Sequence, residues 1–136
     1  MIIIGNEITV GDGNIAVEFD SMGLYFIELS KKYPIGTNFQ EVDDWLDYQT
    51  GNSILLKFTH EAEIHYLYNQ LNTVNNKKRT IEQGNTKITF KGRDYKKTVE
   101  VFKSTIKMWI NKKIQLLQEL LDNGLEDVDY YKEYLP

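Results

Sequence analysis

The 136 residues, 41% hydrophobic and 26% charged, have the length and balance of one globular domain spanning 1–136, large enough to bury about two-thirds of its unfolded surface without a disulfide or metal staple. Cysteine is absent, no apolar run approaches the ~18 to 20 residues of a membrane span, and Met1-Ile2-Ile3-Ile4-Gly5-Asn6-Glu7 lacks the basic start and apolar length of a secretory leader. Thiol chemistry is thereby excluded, no membrane-spanning helix is expected, and the expected location is the cytoplasm. Net charge is −4, but the charge is segregated: residues 1–76 carry 3 basic and 11 acidic side chains, residues 77–113 carry 12 and 3, and residues 114–136 carry 1 and 6. Such blocks suit either an electrostatic face for an outside partner or a basic helix lying over an acidic neighbour of the same fold.

Alternating patterns open the chain. Ile8-Thr9-Val10, Ile15-Ala16-Val17-Glu18-Phe19 and Leu24-Tyr25-Phe26-Ile27-Glu28-Leu29 read as strands. They are separated by Gly11-Asp12-Gly13-Asn14 and Asp20-Ser21-Met22-Gly23, whose residues tolerate the positive φ of tight hairpins, so an antiparallel meander is expected. Thr37 or Asn38, with Gln40 or Glu41 three positions on, forms a capping box, and Phe39, Val42 and Leu46 share one side of a short helix that Gly51 ends. Ser53-Ile54-Leu55-Leu56-Lys57-Phe58 fits a buried strand, and Thr59 can cap a second helix with a stripe of Ile64, Leu67, Leu71 and Val74.

The polar run Asn75-Asn76-Lys77-Lys78-Arg79 is a loop, followed by a hairpin of Thr80-Ile81-Glu82 and Lys87-Ile88-Thr89-Phe90 around Gly84-Asn85. From about Asp94 to Asp122 neither Gly nor Pro intervenes, and Val99, Phe102, Ile106, Trp109, Ile110, Leu117 and Leu121 recur at helical spacing. Because Thr98-Val99-Glu100-Val101 also alternates, the start of this helix could instead prolong the sheet. Asn123-Gly124 is a C-terminal stop, and 125–136 is an acidic, tyrosine-rich tail, either docked or frayed. The predicted fold is α+β: an antiparallel sheet of about five or six strands, two shorter helices, and a long C-terminal helix packed on a face. Phe19, Phe26, Phe58, Leu67, Phe90, Phe102, Ile106 and Trp109 are its expected core.

Two motifs fail on context. Gly11-Asp12-Gly13-Asn14-Ile15-Ala16 matches the dinucleotide fingerprint, but the glycines lead into a strand pattern, where no helix dipole would face a phosphate. His60-Glu61-Ala62-Glu63-Ile64-His65 looks like the zinc-protease helix, yet its histidines are five apart and project roughly 140° from one another. Glu61 and His65, four apart, form a surface pair or half of a metal site that needs ligands from elsewhere. These are the only two histidines, and Ser21, Ser30, Ser53 and Ser104 sit in no nucleophile elbow, so no catalytic residue, metal or cofactor is assigned.

Two surfaces remain. Glu41, Asp43, Asp44 and Asp47 flank Trp45 and Tyr48, an acid-and-aromatic grouping that either faces solvent or anchors a basic partner. The expected function is therefore that of a non-enzymatic module binding another protein with a basic surface, as an immunity protein, antitoxin or inhibitor would. The alternative is a nucleic-acid-binding accessory or regulatory protein using Lys77, Lys78, Arg79, Lys91, Arg93, Lys96 and Lys97. Only two of the twelve cations in the basic block are arginine, which favours phosphate attraction over base readout. A homodimer through the long C-terminal helix is a further expectation, and no membrane partner is expected.

Overall fold

The computed structural model describes residues 1–11, 15–20, 23–29, 33, 37 and 53–123. Among these residues seven strands run in chain order as β1 (Ile2–Ile4), β2 (Glu7–Val10), β3 (Ile15–Asp20), β4 (Gly23–Glu28), β5 (Ser53–Lys57), β6 (Thr80–Gln83) and β7 (Thr86–Phe90). Helix α1 (Glu61–Asn72) lies between β5 and β6, and α2 (Tyr95–Asn123) follows β7. The class is α+β, but the strands divide into two sheets: a mixed four-stranded one in the order β1-β2-β7-β6 and an antiparallel three-stranded one in the order β3-β4-β5.

This corrects the single antiparallel sheet expected from the sequence. β3 and β4 do form the expected hairpin, with Ile15 opposite Glu28 and Phe19 opposite Leu24. β2, however, does not turn back onto β3. It pairs in parallel with β7, Ile8 opposite Ile88 and Val10 opposite Phe90, about eighty residues further along the chain. Ile8 and Val10 thereby reach the same apolar layer as Ile81, Ile88 and Phe90, a pairing that local turn signals cannot specify. The other edge of β2 is taken by β1. Gly5, at φ 57, opens the two-residue loop between them, as Gly84, at φ 58, opens the loop between β6 and β7.

The core lies where both sheets meet α2. Phe102 is the wedge: its ring meets Phe26 of the small sheet edge-on at 5.1 Å and Phe90 of the large sheet at 5.4 Å. All three are fully buried, as are Leu67 and Ile106, whereas Phe19, Phe58 and Trp109 pack half-buried against the same cluster in a stacked row. β4 is buried on both faces. Leu24 and Phe26 face this core, while Ile27 and Leu29 join Ala16 and Tyr33 on the other side, which accounts for its nearly unbroken apolar run.

α2 is continuous through Thr98-Val99-Glu100-Val101, so that segment is helix and not strand. Its inward stripe continues through Lys113 to Leu120, leaving Leu121 at the surface, because two turns of 3.6 residues bring the direction of 113 back at 120 and place 121 about 80° round the axis. α1 begins one residue later than a Thr59 cap would place it. Thr59 acts in reverse, donating its backbone N–H and its hydroxyl, each at 3.1 Å, to the Glu63 carboxylate. The helix expected after Thr37 and the 125–136 tail lie outside the described residues. Among the described residues no helix is long and apolar enough to cross a membrane.

Candidate nucleic-acid interface

The two basic stretches, 77–79 and 91–97, meet at the end of the large sheet where β2 and β7 finish. The α1–β6 loop is shaped by Asn75, whose Oδ1 accepts from the backbone N–H of Lys77 at 2.8 Å and of Lys78 at 3.0 Å. That turn leaves Lys77 and Lys78 on the outside, with Lys78 Nζ donating to Thr73 Oγ1 at 3.2 Å. The carbonyl of Arg79 then accepts from Phe90 N at 2.8 Å, and Lys91 N donates to the Val10 carbonyl at 2.7 Å. Both basic segments are thus tied to the same strand ends.

A side-chain clip completes the junction. Arg79 Nη1 donates to the Gly92 carbonyl at 3.2 Å, and its guanidinium lies 4.0 Å from the centre of the Tyr95 ring. Tyr95, buried beneath it, returns a hydrogen bond from its hydroxyl to Asn76 Oδ1 at 2.7 Å. Gly92, at φ 99, turns the chain from β7 towards α2 in a conformation that a side chain would resist. Lys97 N and Thr98 N then bond the Asp94 carbonyl and begin the helix.

This end is predominantly positive, with Asp94 the half-buried acid inside the 91–97 stretch. Lys77, Lys78, Lys91, Arg93, Lys96 and Lys97 are exposed, and Arg79 is half-buried. Among the described residues none of the seven forms an ion pair with a carboxylate. The described pairs within the basic block lie elsewhere: Lys103 with Glu100 at 3.2 Å, and Lys113 with Glu61. Lys87 belongs to a different setting, in register between Glu7 and Glu82 on the large sheet. The first turn of α2 holds Lys96 and Lys97 and no acid, although cations at a helix N-terminus oppose its dipole by about 0.3 to 1 kcal/mol each. An anion placed there would meet both the lysines and the positive helix end.

The remaining sequence motifs resolve differently. Glu61 Oε1 lies 3.4 Å from His65 Nε2, the surface pair expected from their spacing, while Oε2 is held by Lys113. Lys113 therefore occupies one oxygen of the Glu61 carboxylate and His65 faces the other. Hydrogen bonding from Lys113 holds the Glu61 carboxyl below its usual range, against the opposing effect of burial. Among the described residues no group of three or more His, Asp or Glu side chains is arranged to hold a metal. Gly11 precedes β3, with Ile15 and Ala16 already in that strand, so no helix follows the fingerprint glycine pair. Glu41, Asp43, Asp44, Trp45, Asp47 and Tyr48 all lie outside the described residues.

Sequence reasoning missed the clip of Asn75, Asn76, Gly92 and Tyr95. Its local signal was present in Asn75-Asn76 ahead of two lysines, a pair suited to side-chain-closed turns. Lys113 was also missed, because a lysine inside an apolar stripe reads as an interruption. Set against protein-family models, curated proteins and solved structures, the chain matches none.

Proposed function

We propose that the protein is a non-enzymatic binding module whose partner is nucleic acid, held at the end of the large sheet by Lys77, Lys78, Lys91, Arg93, Lys96 and Lys97 with Arg79 bracing them. One observation carries this reading: cations from two separate stretches converge on one exposed end, and none of them is neutralised by a carboxylate among the described residues. Lysines on solvent without counter-charges repel one another, so gathering them costs stability unless an anion is to be met. Phosphate is the biological anion whose contacts are made by such point charges and by helix N-termini.

The test is fluorescence anisotropy with a mixed pool of labelled oligonucleotides, at low and then raised salt. Binding that weakens steeply with salt and is abolished in the Lys96→Glu/Lys97→Glu double variant is the expected result. Absence of binding even at low salt rejects the proposal. It would return attention to the acidic segment, where charge reversal at Asp43, Asp44 and Asp47 should then weaken capture of a basic protein.

A further inference from the structure

We infer that the basic end engages the phosphate backbone of a duplex without regard to base sequence; the inference rests on the nucleic-acid reading above and narrows it. Sequence readout in the grooves relies most on free guanidinium forks. Of the two arginines here, Arg79 is half-buried, with Nη1 on the Gly92 carbonyl and its guanidinium over the Tyr95 ring, leaving Arg93 as the exposed one. The other exposed cations are lysines, whose ammonium groups are mobile point charges with no fork geometry to match a base edge.

The same clip decides between duplex and single strand. Proteins that hold unpaired strands stack bases on exposed aromatic rings. The aromatic side chain of this junction, Tyr95, is 3% exposed, lies beneath Arg79 and spends its hydroxyl on Asn76. With no ring among the described residues of the junction offered to a base, affinity there comes from displaced counterions. A duplex condenses more of them than a single strand, about 0.9 per phosphate contact against about 0.7. Tyr66, the large aromatic exposed on α1, lies outside the clipped junction.

The experiment measures anisotropy of the full chain with two duplexes of unrelated sequence and one single strand of matched length, across a salt series. The two duplexes should bind within about threefold of each other, where a base-reading protein loses about fivefold or more per mismatch. The single strand should bind about tenfold more weakly. For about five phosphate contacts the log–log salt slope on duplex should be about −4 to −5, and Lys97→Gln should reduce it by about 0.9 on both duplexes alike. Single-strand binding equal to or tighter than duplex, a tenfold preference for one duplex, or an unaltered slope in Lys97→Gln would overturn the inference. If none of the three nucleic acids binds at low salt, it is the nucleic-acid reading itself that fails.

Discussion

Lys113 has 8% of its side chain exposed, on the inward stripe of α2, with its ammonium on Glu61 and 5.2 Å from the Trp109 ring centre. Its aliphatic stem fills core volume while the head ties α2 to the start of α1. Glu61 remains 26% exposed, so water can partly replace a lost partner. Lys113→Ala should therefore cost about 2 kcal/mol, below the 3 to 5 of a fully buried broken pair, and Lys113→Met should cost less because it keeps the stem; urea melts compare them. The pH dependence has a definite sign. The folded-state Glu61 carboxyl titrates below its ordinary value of 4.5, so the pair's stabilisation is complete above that pH and is lost as pH falls through the depressed value. The stability gap between wild type and Lys113→Met should accordingly shrink as pH is lowered from neutrality past 4.5. A gap that widened on acidification would contradict the pairing.

Arg79 supplies the second prediction at this scale. Lysine keeps the charge but cannot lie flat on Tyr95 while donating to Gly92, so Arg79→Lys should lose about 1 kcal/mol in denaturant melts. It should also weaken nucleic-acid binding more than Lys77→Gln does, since it loosens the attachment between the two basic stretches.

At the scale of elements, the hairpins show how one residue type serves two purposes. Gly5 has positive φ with open space around it, so Gly5→Ala should cost about 1 kcal/mol from backbone strain alone. Gly23, at φ 152, sits where β4 pairs with β5, and an added Cβ would run into the carbonyl of Leu56. Gly23→Ala should cost about 3 kcal/mol or more, because strand pairing has to part to admit the methyl. Thermal melts of the two variants separate turn strain from backbone collision. The two edges of the large sheet also differ. Gln70 of α1 brackets the β6 backbone, donating to the Glu82 carbonyl and accepting from Glu82 N at 2.9 Å, whereas β1 presents Ile2 and Ile4 largely exposed.

Local chemistry made several of these elements legible. The Gly84-Asn85 hairpin and α2 stand where turn residues and helical spacing put them, since both depend on contacts close in sequence. β1 carried the same Gly-Asn signal in Gly5-Asn6, but three consecutive isoleucines show no alternation and so no strand period. Parallel pairing of β2 with β7 had no local signature at all, because its two strands are far apart in the chain and each reads as half of a different hairpin.

For the whole molecule, the decisive contact is the meeting of two sheets on Phe102. Truncating it removes edge-to-face partners from Phe26 and Phe90 together and leaves a cavity between layers, so Phe102→Ala should cost about 3 to 5 kcal/mol. Trp109→Ala, at a half-buried position in the peripheral stack, should cost less. Chemical denaturation of both variants tests that order.

The amino-acid sequence by itself determined the mixed α+β class, the long terminal helix, most of the buried aromatic residues and the segregation of charge, because each is written in periodicity or composition. Which strands share a sheet, and which cations share a surface, were decided only in three dimensions. The basic stretches acquire a common face because β7 ends beside Arg79 and β2, and Arg79 then lies on Tyr95. Pairing between distant segments is selected by the burial of their side chains together, and that free energy belongs to no single segment.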